Sequence, residues 1–264
     1  MPKMRTEELW VGACMEAALP GIKVVQHDDG SRSSMHDLDL VRDGVVFAAC
    51  EVTAAADAES IELWNLVNGS EERWIEQDLL GGWLITVTTR CRVKFLKAEL
   101  PALLRVVENE PTDPWRQSAI ERIKALGVVA ADRGDTAFPG SIYVTLERDA
   151  ERAGGVVPNS GHGLVTWLDE WIREPTQEHN LEKLRTALPV ERHLFVLLPG
   201  FTTAPFRASD LLMRADAPLP DAAPRLPQGI TDVWLMSTWS TGDVFHYGGS
   251  GWSRSGKVFK VTSD

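Results

Sequence analysis

The 264-residue sequence predicts an α/β protein with a central mixed β-sheet, flanked by helices and finished by a C-terminal β hairpin. Three observations carry this expectation. Segments with apolar residues at helical spacing alternate with short strand-like runs along most of the chain. Two of those runs, 35–42 and 45–53, alternate in polarity on either side of Asp43-Gly44, a dipeptide suited to a two-residue hairpin turn. Near the C-terminal third, HLFVLLPG (193–200) is continuously apolar, as a strand buried on both faces should be.

The elements run in order from the N-terminus. Leu9, Trp10, Ala13, Cys14, Ala17 and Ala18 share one side of a first helix, capped by Thr6 and ended by Pro20-Gly21. IKVV (22–25) is a strand, HDDGSRSS a polar loop, and the acidic hairpin comes next. A helix over about 57–68 groups Ile61, Trp64 and Val67 and stops at Gly69. GGWLITVTTRCRV then reads as a fourth strand, so the order becomes α-β-β-β-α-β. Helices are expected from Pro101, over 115–126, 164–173 and 179–188, and strands at 127–131 and 141–146. The stretch ADAPLPDAAPRLPQGI (215–230) holds four of the fifteen prolines and reads as an extended connector. It separates an α/β domain, 1–214 with its core at 5–90, from 215–264, whose strands TDVWLMSTWS and a terminal hairpin pack on the same domain.

Hydrophobic residues make up 44% and charged residues 25%, which excludes a disordered or fibrous chain. The net charge of -11 repels phosphate backbones and anionic membranes over the surface as a whole, so any nucleic-acid contact must be local, through a basic stripe or a divalent ion. MPKMRTEELW has no apolar signal segment and no run approaches the ~18 apolar residues of a membrane span, so a cytoplasmic location is expected. Cys14, Cys50 and Cys91 form no CxxC pair and read as free thiols. P-loop, GxGxxG, HExxH and GxSxG elements are absent, which excludes the common nucleotide hydrolases and α/β-hydrolases.

The chemistry concentrates in SSMHDLDLVRDGVVFAACEVT (33–53). Alternation puts Asp37, Asp39 and Val41 on one face of the first strand, and Phe47, Ala49, Glu51 and Thr53 on one face of the second. A short turn that sets Arg42 against Val46 places Asp37 opposite Glu51 and Asp39 opposite Ala49. Paired carboxylates at that spacing repel, and a hard divalent cation with one or two carboxylate ligands resolves the repulsion while activating water.

This order of elements, with Asp37 or Asp39 followed by Glu51 and Thr53, resembles the PD-(D/E)XK nuclease superfamily over roughly residues 5–90. The resemblance implies a restriction-endonuclease-like topology and a metal-dependent nuclease acting on DNA, with Asp37, Asp39 and Glu51 holding Mg²⁺ or Mn²⁺. Glu7 or Glu8 on the first helix matches the family's accessory acid, with Glu8 preferred. Thr53 stands where the family has lysine and supplies neither its charge nor its reach. Lys23, or the alternating Arg90, Arg92 and Lys94 on the fourth strand, would have to contact phosphates or stand in for it. The alternative is a module that keeps the fold, has lost the chemistry, and binds nucleic acid, a protein partner or a second copy. EVTAAADAESIELWNLVNG, ERHLFVLLPGFTTAPF and LPQGITDVWLMSTWS also make the full chain similar to a group of actinobacterial proteins with no assigned activity.

Other candidates have plainer readings. His36 and the HDDG loop could hold a metal but read first as a polar loop; His193 reads as a hydrogen-bonded strand residue. Trp234, Trp239, Trp252, Phe245 and Tyr247 could stack bases but read first as core or interface.

Overall fold

Asp43 and Gly44 take positive φ values of 51° and 79°, as a primed two-residue turn requires. They join β2 (Leu38–Arg42) to β3 (Val45–Ala54), and β1 (Ile22–Gln26) pairs antiparallel with β2. Beside the turn Arg42 faces Val45, and a bulge at Phe47 then shifts the pairing to Leu40↔Ala48, Asp39↔Ala49 and Leu38↔Cys50. The expected Arg42–Val46 pair is therefore replaced, while the bulge restores the expected register at the acids. Helix α1 (Thr6–Ala18) precedes these strands; its cap is Arg5 rather than Thr6, and Glu8 accepts the Arg5 N–H at 2.8 Å. This computed structural model describes residues 4–68, 74–88, 90–109, 114–133, 139–147, 160–199, 202, 204–214, 217–238 and 240–258.

The chain then leaves the sheet. It divides into two compact units, residues 1–55 with 151–264 and residues 56–150, so the segment 215–264 belongs to the same unit as the acidic hairpin and the 5–90 stretch is shared between the two. The second unit contains α2 (Ala58–Asn68), β4 (Trp74–Ile75), β5 (Trp83–Val87), α3 (Val93–Asn109), α4 (Pro114–Ala125), β6 (Val128–Arg133) and β7 (Ser141–Leu146). Its own four-stranded sheet has the order β4-β7-β5-β6. The expected fourth strand is β5, so it belongs to this sheet and not to that of the acids. β5 ends at Val87 because Thr88 N–H turns to the Gly127 carbonyl and Cys91 N–H to the Thr88 carbonyl, both within 3.0 Å. Leu96, Leu100 and Leu104, four residues apart and fully buried, then require a helix, which carries Pro101 in its interior rather than at its start. Gly69, the expected stop of α2, lies outside the described residues.

The first unit resumes with α5 (His162–Trp171), a 3₁₀ turn (Pro175–Gln177), α6 (Glu178–Thr186), β8 (Glu191–Leu198), α7 (Phe206–Met213), β9 (Asp232–Ser237), β10 (Val244–Gly248) and β11 (Gly251–Ser255). The result is a seven-stranded mixed sheet, β1-β2-β3-β8-β9-β10-β11, in which β3, β8 and β9 are parallel and the remaining pairs antiparallel. The continuously apolar run is thus the parallel neighbour of β3, and β10–β11 is the expected C-terminal hairpin. No helix lies within 217–230, as the prolines there required.

Alternation along the strands separates two cores. Leu38, Leu40, Ala48, Cys50, Phe195 and Trp234 pack with Val11, Cys14 and Met15 of α1. On the opposite face Ala49, Leu194, Val196, Val233 and Leu235 pack with apolar residues of α5, α6 and α7. Among the described residues no helix is long and apolar enough to cross a membrane.

Candidate functional site

In β3 the residues Ala48, Cys50 and Val52 belong to the α1 face, so period-two alternation turns Ala49, Glu51 and Thr53 toward the α6 face. A carboxylate is thereby placed where the strand would otherwise carry an apolar residue, and Glu51 is only 2% exposed. Such a group requires a partner. Lys183 of α6 supplies it, donating from Nζ to Glu51 Oε1 at 2.6 Å. One turn earlier on the same helix, Asn180 donates to Thr53 Oγ1 at 3.2 Å. Two α6 residues at i,i+3 therefore reach two successive same-face positions of β3. Glu51 Oε2 is buried, with no hydrogen-bond partner among the described residues.

Asp37 lies one step beyond the Leu38–Cys50 pair, so the register sets it beside Glu51. It is 4% exposed; Oδ2 accepts the Val52 N–H at 2.8 Å and Oδ1 accepts from Arg5 Nη2 at 3.2 Å. Arg5 also donates through Nε to Glu8, which is itself buried. Three acids, Glu8 of α1, Asp37 just before β2 and Glu51 of β3, thus meet two cations, Arg5 and Lys183.

The balance of charge is unfavourable to full ionisation. Burial, then the charge of Asp37, outweigh Lys183 and Arg5 and raise the Glu51 carboxyl from 4.5 to about 7. Asp37 is also raised, by burial, against the pull of the Val52 N–H, Arg5 and Lys183. Two crowded carboxylates with one uncommitted oxygen can accept a proton or a cation.

The expected residues separate on this frame. Glu8, Asp37 and Glu51 come together. Asp39 does not join them: its Oδ2 and Oδ1 are taken by His27 Nδ1 at 2.8 Å and His36 Nε2 at 2.7 Å. Burial opposes its ionisation, but the bonds from His36 and His27 hold its carboxyl below the ordinary value. Thr53 is beside Glu51 but engaged by Asn180. Lys23 is exposed on edge strand β1, opposite Val41. Arg90, Arg92 and Lys94 form no strand stripe: β5 ends at Val87, Lys94 is already helical in α3, and all three lie in the 56–150 unit. Lys183 and Arg5 escaped the sequence reading. For Lys183 the available signal was its helix, the one directly before the apolar strand, because a parallel neighbour needs a crossover helix lying over the sheet.

A second polar cluster occupies the α1 side of β8, β9 and β10. His193 is 2% exposed and its Nδ1 accepts from Trp234 Nε1 at 3.0 Å, while His246 Nε2 lies 2.7 Å from Asp232 Oδ1. An indole N–H only donates, so His193 carries its proton on Nε2, 3.5 Å from Asp232 Oδ2. Burial lowers the His193 pKa, keeping it neutral. The ring is hydrogen-bonded, as its strand position suggested. Trp234 is core, stacked on His246 at 3.9 Å, and Trp252 packs with Tyr247 and donates to the Ala222 carbonyl; Trp239 lies outside the described residues. Cys14 and Cys50 are buried free thiols and Cys91 is half-buried.

Comparison of the chain with protein-family models, with curated proteins and with solved structures gives no match.

Proposed function

We propose that the chain is a metal-dependent phosphodiesterase of the PD-(D/E)XK type, acting on DNA, in which Lys183 takes the part of the lysine that Thr53 lacks. One observation carries this reading: Lys183 Nζ is 2.6 Å from Glu51 Oε1 while the buried Glu51 Oε2 has no hydrogen-bond partner among the described residues. The topology supports it. α1, β1, β2, β3, α6 and β8 keep the α-β-β-β-α-β order within one sheet, with β8 parallel to β3 and residues 56–150 interposed.

The donor set suits a hard cation: two carboxylates that repel one another, one with an unpaired buried oxygen. Asp37 and Glu51 would hold Mg²⁺ or Mn²⁺, which when bound neutralises the pair and lowers the pKa of a water. The protein's own groups do the positioning. Lys183 Nζ, held by Glu51, donates a hydrogen bond to the attacking water and offsets negative charge building on the phosphoryl oxygens. Arg5, with its side chain 61% exposed although it touches Asp37, offers a solvent-facing cation for the phosphate. Lys23 offers a further contact along the edge strand.

A binding module without catalysis is the second reading, favoured by Thr53 in the lysine position and by the net charge of -11. The two separate in one experiment. Single- and double-stranded DNA and RNA are incubated with the protein and Mg²⁺, Mn²⁺ or EDTA, alongside Glu51→Gln and Lys183→Met. Metal-dependent cleavage lost in both variants supports the nuclease. Absence of cleavage under every metal, or cleavage by Glu51→Gln at the wild-type rate, overturns it, and retained DNA binding then favours the module.

A further inference from the structure

Asp39 was expected to complete an all-carboxylate site with Asp37 and Glu51, and the structure places it in different company. β1 and β2 pair so that Val25 faces Asp39 and Gln26 faces Leu38. The chain leaves β1 at His27, whose N–H returns to the Asp37 carbonyl at 2.9 Å, and re-enters through His36. Both ends of the loop therefore carry an imidazole to the same carboxylate. The rings stack at 3.8 Å with 14° between their planes, and the donor atoms of His27, His36 and Asp39 all lie within 4.8 Å of one another.

We propose that His27, His36 and Asp39 form a binding site for a divalent transition-metal ion of the zinc class, separate from the Asp37–Glu51 pair. Two imidazole nitrogens with one carboxylate favour Zn²⁺, Co²⁺, Mn²⁺ or Fe²⁺ over Mg²⁺, whereas an all-oxygen set favours Mg²⁺. The three ligand atoms are gathered but not yet converged, because a metal–imidazole bond lies in the ring plane and two rings stacked at 3.8 Å cannot both hold one ion in plane. Bonds of ~2.0–2.1 Å in a tetrahedral arrangement put ligand atoms roughly 3.3 Å apart. His27 Nδ1 and His36 Nε2 now meet different oxygens of Asp39, at 2.8 Å from Oδ2 and 2.7 Å from Oδ1, so binding requires one ring to swing out of the stack toward a shared ion. His27, with 29% of its side chain exposed against 6% for His36, is the ligand with room to move, and it leaves the outer coordination position to solvent.

Protons balance as well. In the metal-free arrangement the nitrogens facing Asp39 can donate to it. Metal binding moves each N–H to the other ring nitrogen, His27 Nε2 and His36 Nδ1, so two neutral rings become ligands with no net proton released. The cluster of His193, Asp232 and His246 has the same composition, but the Trp234 N–H on His193 Nδ1 fixes the proton on Nε2, and that nitrogen cannot ligate. An ion on His27, His36 and Asp39 would tie the 28–35 loop to the strand beyond Asp37.

The test uses the full chain stripped with EDTA and titrated with Co²⁺, read by visible ligand-field absorption, and with Zn²⁺, read by calorimetry. Expected, with Mg²⁺ in excess to fill the Asp37–Glu51 pair, is one site whose affinity falls by about tenfold or more in His27→Ala and in Asp39→Asn, and is unchanged in Glu51→Gln. Circular dichroism checks that the variants remain folded; His27→Ala, in the loop, is the one least able to disturb the sheet. Absence of Co²⁺ and Zn²⁺ binding, wild-type affinity in His27→Ala, or loss of the site in Glu51→Gln each overturns the proposal. None of these outcomes depends on nuclease activity.

Discussion

Glu51→Gln isolates the energetic consequence of burying a carboxylate between Asp37 and Lys183. The Glu51 carboxyl is raised from 4.5 to about 7 in the fold, chiefly by burial and then by Asp37. At ~1.36 kcal/mol per pH unit this corresponds to about 3 kcal/mol. The sign comes from proton binding. Between pH 4.5 and about 7 the folded chain keeps the Glu51 proton and the unfolded chain has lost it, so stability falls as pH rises through that window and levels off above it. Glutamine has no proton to lose. Urea unfolding of wild type and Glu51→Gln, followed by circular dichroism in EDTA at intervals from pH 4 to 8, should show wild-type stability falling relative to the variant by about 3 kcal/mol. Saturating Mg²⁺ should shrink the fall, since a bound cation holds the carboxylate ionised in the fold. A difference that stays flat across the window refutes the raised carboxyl and, with it, the account of the site as an electrostatically strained pair.

Four further substitutions probe separate contacts. Lys183→Met should cost about 1–3 kcal/mol at pH 8 and less at pH 5, where Glu51 can protonate instead of standing unpaired; the same urea series measures it. Glu108→Gln, in the 56–150 unit, disturbs a buried carboxylate that accepts from Leu80 N–H at 2.8 Å and from Gly81 N–H and Trp83 Nε1 at 3.0 Å. Burial opposes ionisation of Glu108, but those donors outweigh it and lower its carboxyl, so the contribution is present above the unfolded value and lost on acidification. The expected loss is about 2 kcal/mol at pH 7, shrinking toward pH 3. Trp234→Phe removes the donor to His193 Nδ1 and should cost about 1–3 kcal/mol; nitrogen NMR should report the Nε2–H tautomer of His193 in wild type only. Gly248→Ala would put a Cβ 2.2 Å from Asp232 Oδ1, displacing the carboxylate from His246, with an expected loss of about 1–3 kcal/mol by thermal melting.

Much of the local structure was legible before folding. Asp43-Gly44 specified a primed turn, and the turn with its alternating flanks brought Asp37 against Glu51. Within the hairpin the Phe47 bulge was invisible, because a bulge is a compromise between two strands and leaves no mark in either alone. The faces of the hairpin were correct, yet face did not decide partnership. Asp39 shares its side of the strand with Asp37, but two imidazoles from the loop ends satisfy both its oxygens. The basic stripe failed differently: Arg90, Arg92 and Lys94 alternate in sequence, but β5 ends at Val87, and the leucines at 96, 100 and 104 then impose helical spacing from Val93.

The sequence by itself determined the α/β class, the acidic hairpin and its register at the acids, and the apolar strand 193–198, since periodicity, turn chemistry and composition act over a few residues. Tertiary structure alone decided which strand lies beside β3, and with it which cation meets Glu51. A parallel neighbour is chosen by burial on both faces and not by nearness along the chain, so β3 could pass over β5 and pair with β8 after the entire 56–150 unit. That pairing lays α6 over β3 and β8 and brings Lys183, 132 residues away in sequence, to Glu51.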